Sequence, residues 1–148
     1  MEYSADAFLK VKLEEITPAN IRVEGPNTYL VIEWRGVAIK ARRICAVGYV
    51  KEVRNKGRFT DVVLERGGAT ALVRVWEEKS DLLAKLEENA PVKVMGVLRS
   101  YRETPYVAPV IIRRVSPSFV EWFEHKILED RDQIVNYVLR IEKSENET

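Results

Sequence analysis

A mainly β fold, a five-stranded barrel with one long α-helix at its C-terminal end, is what this chain of 148 residues predicts, on three observations. Between Thr28 and Val115, runs rich in Val, Ile and Tyr are broken by Gly, Asn and Pro, the mark of short strands and turns. One leucine-bearing helical stretch divides those runs, with the three-strand meander from Val37 to Trp76 before it and two strands after. Beyond Ser116 the apolar residues switch to helical spacing. A composition of 46% hydrophobic and 32% charged residues fits one compact domain with an appendage. We divide it into an N-terminal extension (1–27), a barrel domain (28–115), a helix (116–143) and a disordered polar tail (144–148).

Leu9, Val11 and Leu13 alternate with Lys10, Lys12 and Glu14 as in a half-buried strand, although the segment also fits a helical turn. Pro26-Asn27 marks a turn, after which Thr28 to Trp34 and Val37 to Val53 read as strand, with Arg35-Gly36 between them. The second run is long, and Gly48 inside it predicts a bend or bulge where the strand turns a barrel corner. Asn55-Lys56-Gly57 is a hairpin loop into Phe59 to Glu65, and Gly67-Gly68 leads on to Thr70 to Trp76. Ser80 is placed to cap a short helix carrying Leu82, Leu83 and Leu86, which Asn89-Ala90-Pro91 ends. Val92 to Tyr101 and Tyr106 to Val115 complete the barrel, joined through Arg102 to Pro105. The order β-β-β-α-β-β is the layout of the OB-fold, a partly open Greek-key barrel that commonly binds oligonucleotides.

Ser116 before Pro117 predicts a strong helix start. From there Phe119, Phe123, Ile127, Ile134, Val138 and Ile141 recur at spacings of 4, 4, 7, 4 and 3, one stripe of a helix of roughly 36 Å, widened by Trp122 and Val135. Such a stripe outruns a small barrel, so part of it is expected to lack cover within the chain and to seek partner helices. The alternative is a helix folded back over its own barrel.

Several classes of chemistry find no residues here. One cysteine, Cys45, and one histidine, His125, cannot assemble a zinc site. Cys45 sits in an apolar strand and reads as a small core residue, and His125 as a surface or interface residue of the helix. The glycines match neither a phosphate loop nor a dinucleotide fingerprint. Asp61, Glu65 and Arg66 alternate along one strand without converging on a face, so catalysis is not expected. No metal, no cofactor and no small-molecule substrate is expected. No window approaches a membrane span, and the N-terminus lacks the basic and apolar regions of a signal peptide, so a cytoplasmic setting is expected.

The net charge of +1 hides an asymmetry: −2 over residues 1–27, +7 over 28–115 and −4 over 116–148. Within the basic middle, Lys51, Arg54, Lys56 and Arg58 cluster around one hairpin, and Arg99, Arg102, Arg113 and Arg114 around the last two strands. Charge of this kind is often a solvated face, but it also suits a polyanion. Strand alternation puts Arg74 and Trp76 outside the barrel with Val73 and Val75 inside. The same alternation puts Arg99 and Tyr101 outside, opposite the inward set Val92, Val94, Gly96 and Leu98. Each of two strands therefore ends with an outward arginine and, two residues on, an outward aromatic. A planar ring for base stacking beside a guanidinium for phosphate is what single-stranded nucleic acid needs. The competing reading is that both rings merely cover a core edge or a protein contact.

Arg74-Val75-Trp76 and, more specifically, Gly96-Val97-Leu98-Arg99-Ser100-Tyr101 resemble segments of the middle subunit of replication protein A and its archaeal counterparts. The stretch from Thr28 to Val53 resembles the archaeal form, and the likeness extends from about Ala7 to Leu139. Tyr101 stands where Phe is more familiar, which keeps the stacking face and adds a hydroxyl. The resemblance implies that Trp76 and Tyr101 stack on single-stranded DNA. It implies too that the stripe Phe119, Trp122, Phe123, Ile127, Ile134, Val138 and Ile141 packs with helices of a large and a small subunit in a heterotrimer. Telomere-capping trimers use a related middle subunit, which these motifs do not separate.

The leading expectation is a non-enzymatic subunit of a single-stranded DNA-binding heterotrimer serving replication, repair and recombination, without base-sequence preference. Arg74, Arg99, Lys51, Arg54, Lys56, Arg58 and Arg102 would line the strand's path. Its setting would be cytoplasmic, nucleoid-associated in an archaeon. Two stacked bases at about 1–3 kcal/mol each leave such a subunit a weak binder alone, and tethering to stronger barrels raises its effective concentration. Two alternatives remain open: a structural subunit whose helix holds the complex together, and an RNA-binding OB-fold protein.

Overall fold

The computed structural model of the chain describes residues 1–84 and 86–146. The N-terminal residues are not an extension set apart from the barrel. They form β1 (Glu2–Ser4) and β2 (Leu9–Lys10), two single 3-10 turns at Leu13–Glu15 and Pro18–Asn20, and β3 (Ile21–Glu24), which hairpins onto β4 (Asn27–Trp34). The Arg35-Gly36 turn, with both φ values positive, returns the chain into β5 (Val37–Ala41). β1, β5, β4 and β3 make a four-stranded sheet in that order. Alternation buries Leu30, Ile32, Val37, Ile39 and Ala41 on its inner side.

A second, six-stranded sheet follows: β6 (Arg43–Asn55), β7 (Phe59–Arg66), β8 (Ala69–Trp76), β9 (Pro91–Tyr101) and β10 (Thr104–Arg114), with β2 beside β6. β6 spends Arg43–Tyr49 against β9 and Tyr49–Asn55 against β7. It therefore belongs to both ends of the sheet, and the pairing closes into a ring β6-β7-β8-β10-β9 of five strands. The closing joint between β8 and β10 is parallel and carries one registered pair, Val73 with Val107. Ile44, Val50, Val62, Leu64, Val73, Val75, Val92, Val94, Leu98 and Val107 fill the interior. The expected corner in the long strand lies where β6 changes partners at Tyr49, and the register shift falls at Lys51, between Val50 and Glu52, rather than at Gly48. Gly48 instead makes room: a Cβ there would stand 2.9 Å from Leu13 Cδ1, so Leu13 from the N-terminal segment packs onto the barrel at this point. Gly96 is tighter still, since a Cβ would run into Ala108 O and stand 2.8 Å from Pro109 Cα on β10.

Between β8 and β9 the expected helix takes 3-10 form and is not capped by Ser80. Glu77–Leu83 is 3-10 in character and broken at Lys79, with Trp76 rather than Ser80 at its N-terminal boundary. Its Leu82, Leu83 and Leu86 still pack against the core, which is the burial their spacing reports. The last element, α1 (Pro117–Asn146), starts as expected, with the Ser116 hydroxyl accepting the Phe119 amide hydrogen bond at 3.1 Å. It runs through Ser144 to Asn146, three residues of the segment read as a disordered tail; the rest of that tail lies outside the described residues. Among the described residues no helix is long and apolar enough to cross a membrane.

Most of the apolar stripe is covered within the chain, as in the alternative of a helix folded back over its barrel, and part of it is left uncovered. Phe123 and Ile127, each 1% exposed, pack with Val120 on Cys45 and Val47 of β6, and Phe119 is half-buried beside them. Val135, Val138 and Ile134 join the main core. Only Trp122 and Ile141 of the stripe are exposed. The helix lies back along the barrel because polar groups fasten it there. Arg131, 2% exposed, donates from both terminal nitrogens to Glu15 at 2.6 Å and from Nη2 to the Lys10 carbonyl at 3.3 Å. Lys10 pairs with Asp130 at 2.7 Å, and Asp132 accepts from Trp34 Nε1 at 3.0 Å and from Arg35 at 3.2 Å.

Two stability tests follow from this packing. Gly96→Ala should lose about 1–3 kcal/mol in urea unfolding, because two of the three atoms it meets, Ala108 O and Pro109 Cα, are backbone and cannot turn aside. Arg131→Ala should lose about 3–5 kcal/mol by leaving Glu15 without its cation, whereas Arg131→Met combined with Glu15→Met should retain most of the stability.

Candidate nucleic-acid interface

Helix α1 covers the outer surface of the barrel where β6 presents Cys45 and Val47. The outer surface of β7, β8, β10 and the far end of β9 is left open, and the aromatic residues gather there. Phe59 and Trp76 are cross-strand partners, their rings 5.2 Å apart at 64°, edge to face. Asp61 and Arg74 are the next outward pair, joined by two bonds, Nε to Oδ1 at 2.9 Å and Nη2 to Oδ2 at 3.2 Å. The Arg74 guanidinium lies 4.0 Å from the Phe59 ring and 5.0 Å from the Tyr106 ring of β10. Tyr106 is in turn the partner of Arg99 on β9. A cleft of about 240 Å³ opens between Trp76, Arg74 and Arg99, lined also by Ala108, Pro109, Glu78 and Lys79. Trp76 is 37% exposed, and Tyr101, two residues beyond Arg99, is 59% exposed.

The cations divide into two groups. Arg74 is already engaged: its hydrogen bonds to Asp61 raise its pKa above the ordinary value against the opposing effect of burial, and rings flank it. It orients the platform and offers no free charge. Lys51 is paired with Glu65 at 3.2 Å, and Arg54 is bound by both oxygens of Glu52 at 2.7 Å, which raises the Arg54 pKa and lowers that of Glu52. These two pairs are exposed and therefore weak in water. Lys56, Arg58 and Arg99 are exposed and have no hydrogen bond or ion pair from the side chain among the described residues. Arg102 lies with its guanidinium 5.3 Å from the Tyr101 ring, at the tip of the β9–β10 hairpin. That tip is built from Arg102 and Glu103, both with positive φ.

Asp61, Glu65 and Arg66 do not converge: each closes its own pair, with Arg74, Lys51 and Glu124 respectively. The Arg66 bond at 2.8 Å lowers the Glu124 pKa and raises that of Arg66. Among the described residues no group of three or more His, Cys, Asp or Glu is arranged to hold a metal ion. Cys45 is buried under α1, and burial pushes its thiol pKa up.

Sequence reasoning missed Phe59, Tyr106 and the part played by Asp61. The signal was present for two of them. A two-residue Gly67-Gly68 turn fixes the register, and counting back from it sets Asp61 opposite Arg74 and Phe59 opposite Trp76. Tyr106 gave no such signal, because it reaches Arg74 across the parallel β8–β10 joint, a pairing that local spacing does not encode.

Over 140 residues the chain is 36% identical to the uncharacterized 18.7 kDa protein in the ribosomal RNA operon of Thermofilum pendens, spanning 93% of this chain and 81% of that one. The chain belongs to the family of that protein. No protein-family model matches this family member. Among solved structures, a chain of a replication protein A heterotrimer bound to single-stranded DNA superposes with a TM-score of 0.68 at 17% identity, over 87% of this chain and 98% of that one. The Schizosaccharomyces pombe Stn1–Ten1 complex gives 0.58 at 16% identity, over 89% of this chain and 97% of its match. The family member therefore has the OB-fold, with a four-stranded sheet added on its N-terminal side and one C-terminal helix.

Asp61→Ala should destabilise the protein by about 1–3 kcal/mol in urea unfolding, since it strands the partly buried Arg74 guanidinium. Conversion of both Asp61 and Arg74 to apolar residues should cost less than the single change.

Proposed function

We propose that the chain is a non-enzymatic, single-stranded DNA-binding subunit of a replication protein A-like heterotrimer acting in replication, repair and recombination, binding by stacking and phosphate contact without base-sequence preference. The observation that carries this reading is the open face itself. Trp76 and Tyr101 are exposed on the side of the barrel that α1 leaves uncovered, and the cations without partners, Lys56, Arg58 and Arg99, stand beside them. The solved structures of the same fold include one bound to single-stranded DNA within a heterotrimer. Bases would stack on Trp76 and Tyr101, and Arg99, Lys56, Arg58 and Arg102 would meet phosphates. Lys51 and Arg54 would contribute only by exchanging their carboxylate partners for phosphate. Arg74 would keep the rings in place.

Assembly with a large and a small subunit would use the solvent side of α1, because most of the stripe first assigned to it is buried in the chain. Trp122, Leu128, Tyr137, Leu139 and Ile141 are the exposed apolar residues there.

A second reading is favoured by one observation: the Thermofilum pendens relative lies in a ribosomal RNA operon, which makes RNA a rival ligand for the same face. Fluorescence anisotropy with a labelled thymine oligomer of about 20 nucleotides at low salt tests both. The parent should bind saturably, and Trp76→Ala with Tyr101→Ala should weaken binding at least about tenfold, from about 1–3 kcal/mol per stacked base. Unlabelled single-stranded DNA should compete better than RNA of equal length, and duplex DNA poorly. Preference for RNA would replace the DNA assignment. Absence of binding by the parent would leave the assembly role alone.

A further inference from the structure

The cations on the open face extend beyond those used above. Arg43, the first residue of β6, is exposed, and its side chain has no hydrogen bond or ion pair among the described residues. Its partner on β9 is Val97, and the partner of Val97 on β10 is Ala108, which lines the cleft beside Trp76 and Arg99. Strand pairing keeps these three on one surface, the outer one, because the alternate residues Ile44, Leu98 and Val107 are buried in the core. The next outward residue along β6, Cys45, is already under α1. Arg43 thus stands where the helix cover ends and the open face begins. From the cleft on β8 to Arg43 is three strand spacings, about 14 Å measured around the curved outer wall of the barrel, over Ala108 and Val97, with no carboxylate in that row.

We propose that Arg43 is a further phosphate contact of this interface. A single strand stacked at Trp76 crosses the low Ala108–Val97 row transverse to the strands, and Arg43 holds its backbone on the far side. This rests on the nucleic-acid reading above. It directs that end of the ligand toward the rim of α1, away from Lys51 and Arg54, whose charges are paired.

The test is anisotropy with the labelled thymine oligomer over a salt series, on the full chain. The proteins are the parent, Trp76→Ala, Arg43→Ala, Arg43→Glu and Arg113→Ala, the last an exposed arginine whose partner is Lys93, away from the cleft. Arg43→Ala should weaken binding about threefold or more and flatten the slope of log affinity against log salt by about 0.7, one phosphate's share on a single strand. Arg43→Glu should weaken binding further, and Arg113→Ala should match the parent. If Trp76→Ala weakens binding while Arg43→Ala keeps both affinity and slope, the Arg43 contact is overturned and the stacking face stands. If the parent does not bind, the nucleic-acid reading itself falls.

Discussion

The buried guanidinium of Arg131 is the constraint on which the arrangement of this molecule depends. A charge removed from water costs several kcal/mol unless its partners are well placed. Glu15, the Lys10 carbonyl and, at 5.5 Å, the Trp34 ring can satisfy it together only when the helix, the N-terminal segment and the β4–β5 hairpin meet in one register. Among the described residues Nε alone of its nitrogens has no hydrogen-bond partner. Once Arg131 is seated, Phe123 and Ile127 fall on β6, Val135 and Val138 on the core, and Leu13 beside Gly48. The helix then shields one side of the barrel and leaves the other uncovered.

The barrel was legible because its signals are local. Alternation named the inward valines of β8 and β9, and paired glycines or Arg35-Gly36 named the turns. The helix start at Ser116-Pro117 was legible for the same reason. What covers the helix was not, since periodicity reports which side of a helix is apolar and says nothing of what lies against it. The anchors that decide the matter, Glu15 with Arg131 and Lys10 with Asp130, are separated by 116 and 120 positions, beyond any spacing rule. In the first 27 residues the alternation of Leu9, Val11 and Leu13 was legible and the pairing was not, because β1 and β2 are short parallel strands whose partners lie far along the chain.

At the candidate interface the exposed rings were legible and the electrostatics were not. Each basic residue counts as +1 in a sequence, but Arg74, Lys51 and Arg54 each face a carboxylate of a neighbouring strand or of their own. The face is therefore a nearly neutral aromatic floor with free cations at its margins. That arrangement suits a ligand whose bases lie flat in the middle and whose charges run along the edge.

The joint between β8 and β10 gives this floor a mechanical character. It closes the barrel with one registered parallel pair, where its neighbours are held by long antiparallel ladders. The Tyr106–Arg74 stack spans it on the outside. Local opening begins where cooperative hydrogen bonding is thinnest, so amide exchange within the barrel is expected to be fastest at this seam. Trp76 on β8 and Arg99 on β9 stand on opposite sides of that seam, so a molecule touching both would span it and add to the single pair that closes the barrel.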